Sequence, residues 1–266
     1  MRVVSHTLTN EDSIKIVPLA DLHIGSSRCD IPRIKHVIDT IVNDPRAYVV
    51  LVGDIINNST KTSVGDVYEE KMSPMEQCKL AVDILRPIAD KILGAVCGNH
   101  EQRTRKDSGV DLMYFIADEL GIPEVYNPEG VVSLVRFGKK IKANGTRTCL
   151  SVYITHGDKI GGATIGGKMN GLEKRGNIFA NVDLVIVGHT HTPSTFKTSQ
   201  FLIDERNNSI LTKETTFVNT GAWLEYEPYA ERCGLKPSST AMPVIYVYPK
   251  THHRGNGGKK LVVHLG

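Results

Sequence analysis

Residues 92–101 read ILGAVCGNHE. The run Ile92 to Cys97 is apolar without alternation, and continuity of that kind marks a strand covered on both faces. It stops at Gly98-Asn99-His100-Glu101. Taken alone, Gly98-Asn99 would be read as a turn, since both residue types are common there. The same pattern recurs, however, along the chain. Ile14 to Ala20 leads into Asp21-Leu22-His23, and Tyr48 to Val52 into Gly53-Asp54. Leu150 to Thr155 leads into His156-Gly157-Asp158, and Leu184 to Val187 into Gly188-His189-Thr190-His191. A lone histidine after a strand is ordinarily a hydrogen-bonded structural residue. The succession of strand ends overrides that reading for His156 and its counterparts. Loops past the carboxyl ends of strands converge in α/β sheets, so these residues are expected to meet in space.

Helical patterns lie between the runs. Ile31, Ile34, Val37, Ile38, Ile41 and Val42 recur at helical spacing behind an Asp30 cap, with Pro32 in the first turn. Ser73-Pro74-Met75-Glu76 is a capping box with proline at the first helical position, and Val82, Leu85 and Ala89 supply the apolar face that follows. Ser108 to Leu120, closed by Gly121 with Pro123 beyond, predicts a third helix. From Val131 the rhythm changes to short strands, predicted at Val131 to Phe137, Thr216 to Asn219, Val244 to Tyr248 and Leu261 to His264. There is no repeat of fixed period. Glycine-bearing Gly161 to Gly167 and basic His252 to Lys260 predict exposed loops, the first a candidate flap over a site.

The 266 residues are 40% hydrophobic and 23% charged, an ordinary soluble composition that one α/β domain spanning 1–266 can accommodate. A net charge of +3 falls short of a dedicated nucleic-acid binder. Five scattered cysteines without a CxxC pair suggest neither a disulfide framework nor a zinc ribbon, and point to the cytoplasm. The N-terminus lacks a signal-type apolar region, and no run is long enough to cross a bilayer, so no membrane partner is expected.

Asp21, His23, Asp54, Asn99, His156, His189 and His191 form a nitrogen and oxygen donor set without thiolate. Such a set suits manganese, iron, zinc or a similar divalent ion in a reactive rather than a structural site. Asp21 with His23, and His189 with His191, can point the same way from an extended segment or a tight turn.

The motifs D-x-H, G-D, G-N-H-E, H-G-D and G-H-x-H, in this order from Asp21 to His191, resemble those of the calcineurin-like metallophosphoesterases. The resemblance implies an α/β fold, a four-layer sandwich of two mixed β-sheets flanked by helices. It implies one metal held by Asp21, His23 and His191, a second by Asn99, His156 and His189, and Asp54 bridging them. Two divalent ions would be the cofactors, manganese foremost, with iron, zinc or nickel as alternatives. A hydroxide between the two would be the nucleophile, since metal binding brings the pKa of water from 15.7 to about 7. His100 is implied as the catalytic residue that protonates or stabilises the leaving oxygen. Glu101 is a candidate for orienting a histidine, and Arg103, Arg105 and Lys106 are candidates for gripping phosphate, against the alternative of plain solvation. Trp223, Tyr226 and Tyr229 are candidates for stacking on a base, against a core role.

The sequence departs from the family in having Asn57 where many relatives close a G-D-x-x-D element, which leaves the orientation of His100 open. Asn219-Thr220-Gly221-Ala222 stands where smaller relatives carry N-P-G-S and is read as a structural turn. The expected partner is a phosphate ester, with a phosphodiester such as nucleic acid or a nucleotide preferred over a small monoester. A nuclease of the double-strand-break-repair type is one relative to weigh, although the chain after His191 is short for its capping domain. A lipid-linked pyrophosphate hydrolase is disfavoured by the lack of a hydrophobic insertion. A non-catalytic interaction module on the same fold, as in the retromer subunit, is the rival from another class. The presence of His100 favours an enzyme.

Overall fold

The computed structural model describes residues 1–9, 12–60, 70, 72–138, 148–158, 160–162, 164–224, 240–249 and 259–266. The predicted runs form strands β2 (Ile14–Leu19), β3 (Ala47–Leu51), β4 (Ile92–Ala95), β6 (Cys149–Thr155) and β7 (Leu184–Val187). They divide between two sheets. With β10 (Pro243–Tyr248) and β11 (Lys260–Leu265), the first three make a five-stranded sheet of order β11-β10-β2-β3-β4. The other two join β1 (Arg2–Leu8), β5 (Val131–Phe137), β8 (Ser194–Asp204) and β9 (Ser209–Asn219) in the order β1-β5-β6-β7-β9-β8. Both sheets are mixed: β2 pairs parallel with β3 but antiparallel with β10, and β6 parallel with β7 but antiparallel with β5.

Burial on both faces explains the unbroken apolar runs. Successive side chains of a strand point to opposite faces. On β3, Val50 faces the second sheet with Ile14, Ile16, Val131, Val152 and Ile186, whereas Val49 and Leu51 pack with the helices. The helical layer on that side comprises α1 (Ile31–Asn43), α2 (Pro74–Leu85) and α4 (Leu112–Glu119). The outer face of the six-stranded sheet buries Val185, Val187 and Phe217 against Leu172 of α5 (Ile165–Gly176). The result is helix, sheet, sheet, helix, the four layers expected.

Several boundaries differ from the sequence reading. Helix α1 is capped as predicted, Asp30 accepting the Arg33 N–H, and Ser73 and Glu76 form the capping box of α2. Helix α2 nevertheless stops at Leu85, and Ala89 lies in a 3₁₀ stretch, Arg86–Lys91. Pro87 has no N–H and its ring crowds the carbonyl four residues back, so the α-helix cannot continue through it. The helix expected from Ser108 to Leu120 begins later, as α4 at Leu112, where Asp111 accepts the Tyr114 N–H. Ser108 instead closes α3 (Asn99–Ser108), a helix the sequence reading did not expect, which ends at Gly109, whose φ of 76° suits glycine. Gly166 and Gly167 belong to α5 rather than to a loop, because Thr164 caps that helix by accepting the Gly167 N–H.

Strands β8 and β9 form a hairpin whose outer end exposes Phe201 and Ile203, each 79% accessible, and Ile210 at 70%. Trp223 is buried in the core, with Arg33 stacked 5.0 Å from its ring, so the base-stacking reading does not hold for it. Tyr226, Tyr229 and the segment around His252, His253 and Arg254 lie outside the described residues. Among the described residues no helix is long and apolar enough to cross a membrane, and Cys29, Cys78, Cys97 and Cys149 are free thiols.

Candidate metal centre

The strand-end loops of the two sheets are tied to one another through their backbones. Asp21 N–H donates to the Gly53 carbonyl and His23 N–H to that of Asp54, each over 3.0 Å. Gly188 N–H reaches the His156 carbonyl at 3.1 Å, and Trp223 N–H the Asp21 carbonyl at 3.2 Å. Gly98 and Asp54 approach so closely that a Cβ on Gly98 would overlap the Asp54 N and Oδ1 atoms. Only glycine fits at that contact.

The expected D-x-H and H-x-H pairs come from turns, not extended segments. Asp21, His23, Asp54, His189 and His191 have φ of 52°, 49°, 50°, 70° and 51°, the left-handed region. Few residues other than glycine enter it, and five at one place mark a local concentration of backbone strain.

The predicted donors are brought together in two clusters. In the first, Asp21, His23 and His191 offer donor atoms all within 4.8 Å of one another. Asp21 Oδ1 is 3.2 Å from His191 Nε2, which is 3.5 Å from His23 Nε2. In the second, the donor atoms of Asp54, His156 and His189 lie equally close, and Asn99 Oδ1 is 3.0 Å from His156 Nε2 and 2.8 Å from His189 Nδ1. Asp54 stands between the clusters, with Oδ2 3.2 Å from His156 Nε2 and a place in a further group with His23 and His100. The bridging position expected of it is therefore geometrically available.

The donors fit a cation. His156 Nδ1 is 2.7 Å from the Val52 carbonyl, and donating its proton there leaves Nε2 as a lone pair facing the oxygens of Asn99 and Asp54. Three acceptors converge there, and among the described residues His23 Nδ1 is buried without a hydrogen-bond partner. A proton on His156 relieves the same crowding: burial opposes its charge, but Asp54 and Asp21 outweigh burial and lift its pKa to about 10. His23 is driven the other way, to about 3, by burial and by the neighbouring His100. Burial also pushes Asp21 and Asp54 up, yet His191 for the one and His156 for the other hold both carboxyls below their usual range.

His100 lies in the first turn of α3, at the rim of both clusters. Its Nδ1 donates to the Asn57 carbonyl at 2.5 Å, which turns Nε2 toward Asp54 Oδ2, 3.8 Å away. The backbone of Asn57 thus orients His100, while its side-chain amide donates to Ser59 and Glu70. Arg103 lies along the imidazole, its two terminal nitrogens 3.2 and 3.1 Å from the ring nitrogens. Arg105 instead faces Asp111 and Glu129, at 3.7 and 3.5 Å, and Lys106 is exposed to solvent.

Glu101 does not orient a histidine. It is fully buried, and its carboxylate accepts the backbone N–H groups of Asp54, Gly98 and Ile56 at 3.1, 2.8 and 3.0 Å. It therefore clamps one ligand-bearing loop to the next. Burial, reinforced by Asp54, raises its pKa to about 7.

Other supports were not singled out from sequence. Asn58 donates to the His100 carbonyl and to Thr104 at 2.6 and 3.0 Å, and Gln77 accepts the Asn58 N–H at 2.9 Å. Thr220 Oγ1 donates to Asp21 Oδ2 at 3.3 Å. Asn219 donates to Thr190 Oγ1 and the Thr192 carbonyl, and Lys168 of α5 donates to the Thr190 carbonyl and Thr192 Oγ1. The turn read at Asn219-Thr220 is thus a buttress for Asp21 and the His189–His191 loop.

The family model of the calcineurin-like phosphoesterase superfamily domain matches residues 14–235. The chain belongs to this family. No curated protein matches the sequence. Among solved structures, the NAD nucleotidase of Haemophilus influenzae aligns with 96% of this chain at 10% identity and a TM-score of 0.45. The chain spans about half the length of that protein, 51% of which is covered.

Proposed function

We propose that the chain, acting as one domain over 1–266, hydrolyses a phosphate ester with two divalent cations. One would be held by Asp21, His23 and His191, the other by Asn99, His156 and His189, with Asp54 shared. The observation that carries this reading is the position of the Asp54 carboxylate, within reach of His156 on one side and grouped with His23 on the other. When bound, such a pair activates water near neutral pH and neutralises charge on the phosphoryl oxygens. Manganese is the metal we favour, with iron, zinc or nickel as alternatives, because the donors are imidazoles, carboxylates and an amide without thiolate.

In this reading His100 acts at Nε2. Its Nδ1 proton is committed to the Asn57 carbonyl, so a proton for the leaving alkoxide would be held at Nε2, the nitrogen that Arg103 also reaches at 3.1 Å. Arg103, packed on that ring, is placed to meet a phosphate oxygen, whereas Arg105 is engaged by two carboxylates and is withdrawn from the role. A phosphodiester, in nucleic acid or a nucleotide, is preferred over a small monoester on the strength of the mild positive charge and of Asn57 standing where a G-D-x-x-D element would close. Four free thiols among the described residues are in keeping with a reducing compartment such as the cytoplasm.

The test is hydrolysis of bis-p-nitrophenyl phosphate and p-nitrophenyl phosphate in the presence of Mn²⁺. The wild-type chain is expected to turn over the diester faster, and His100→Ala to lose about 10²- to 10⁴-fold in kcat while still binding Mn²⁺. No turnover with any divalent metal would instead favour an interaction module.

A further inference from the structure

Of the motif His156-Gly157-Asp158, the reading above uses only the first residue. The turn is built to bring the third back beside it. Gly157 has a φ of 94°, and a Cβ there would run into the Val187 side chain. The Gly157 carbonyl accepts the Ile160 N–H at 2.9 Å, while Arg175, in the last turn of α5, donates to the Asp158 carbonyl at 2.5 Å. So held, Asp158 Oδ1 lies 3.9 Å from His156 Nε2, the atom that faces Asn99 and Asp54. Among the described residues that oxygen is buried and has no hydrogen-bond partner, although the side chain as a whole is 29% exposed. A buried carboxylate oxygen without a donor is costly, and a cation nearby compensates it.

The two donor clusters also differ in charge. The first holds Asp21 together with the shared Asp54, whereas the second has a neutral amide, Asn99, in the place of Asp21. We propose that Asp158 is an outer carboxylate of the second cluster, restoring its missing negative charge and setting its affinity for a divalent cation. This rests on the two-cation reading of the centre.

The experiment is Mn²⁺ titration by isothermal calorimetry on the full chain, with Asp158→Asn and Asp158→Ser, each checked for unchanged circular dichroism. Wild type is expected to take up two Mn²⁺. The variants should keep one binding class unaltered and lose about 10- to 100-fold affinity in the other. Isotherms that superimpose on wild type, or an equal weakening of both classes, would overturn the role of Asp158 and leave the two-cation reading intact. A wild-type chain that binds fewer than two Mn²⁺ would overturn both.

Discussion

Asp21 is held by its neighbours as firmly as by its own strand. Its Oδ2 receives the Thr220 hydroxyl, and both oxygens receive the His189 N–H, at 3.2 and 3.1 Å, which fixes Oδ1 toward His191. Thr220→Val removes the hydroxyl without changing side-chain size. It should lower Mn²⁺ affinity in the Asp21 cluster by about 10-fold, with Thr220→Ser restoring it, as read by calorimetry. The seven side chains that gather at the centre could be picked out in the sequence because each stands just past the end of an apolar run, a local signal. Their supports were not. Thr220 is 199 positions from Asp21, and Glu101 meets backbone N–H groups 47 and 45 positions away. No spacing rule reaches across such separations, and a buried glutamate next to a histidine suggests a histidine partner before it suggests three amides.

At the scale of elements, a buried ion cluster joins the two sheets away from the centre. Asp183, just before β7, accepts from the Ser151 N–H of β6 at 2.8 Å, from Lys213 of β9, and from Lys259, beside β11 of the other sheet, at 2.7 Å. Burial raises the Asp183 carboxyl, but the two lysines outweigh burial and hold it below the usual carboxylate range. A depressed folded-state pKa contributes stability that is complete above the unfolded value and is lost as pH falls through the folded one. Asp183→Asn should therefore destabilise the chain by about 3 kcal/mol in urea denaturation at pH 7. The gap from wild type should stay constant down to about pH 5 and close below about pH 4. Element types were readable wherever periodicity was strong, as in α1. Helix α5, with glycine at 166, 167, 171 and 176, was not, because glycine is a poor helix former and the packing of Leu172 under the sheet decides the matter. Nor was α3 apparent, since polar Asn99–Ser108 offers no apolar face to count.

For the molecule as a whole, strands apolar on both faces told of sheets covered on both sides, and the four layers were implied by the resemblance to the phosphoesterases, whereas the partition of strands between sheets depends on pairings no single segment encodes. Both sheets end in the centre, so occupancy there should stabilise the entire fold. With Mn²⁺ at 100 times its dissociation constant, a single site adds about 2.7 kcal/mol, or roughly 5–10 °C in Tm for a chain of this size. Differential scanning calorimetry should show that increase on Mn²⁺ addition, its reversal by a chelator, and its absence in Asp54→Ala.

The positive φ values at Asp21, His23, Asp54, His189 and His191 set folding and chemistry against each other. Left-handed backbone disfavours a side chain by about 1–2 kcal/mol per residue. Glycine would sit in these turns without that cost, so the carboxyl and imidazole groups there are carried at the expense of the scaffold's own stability.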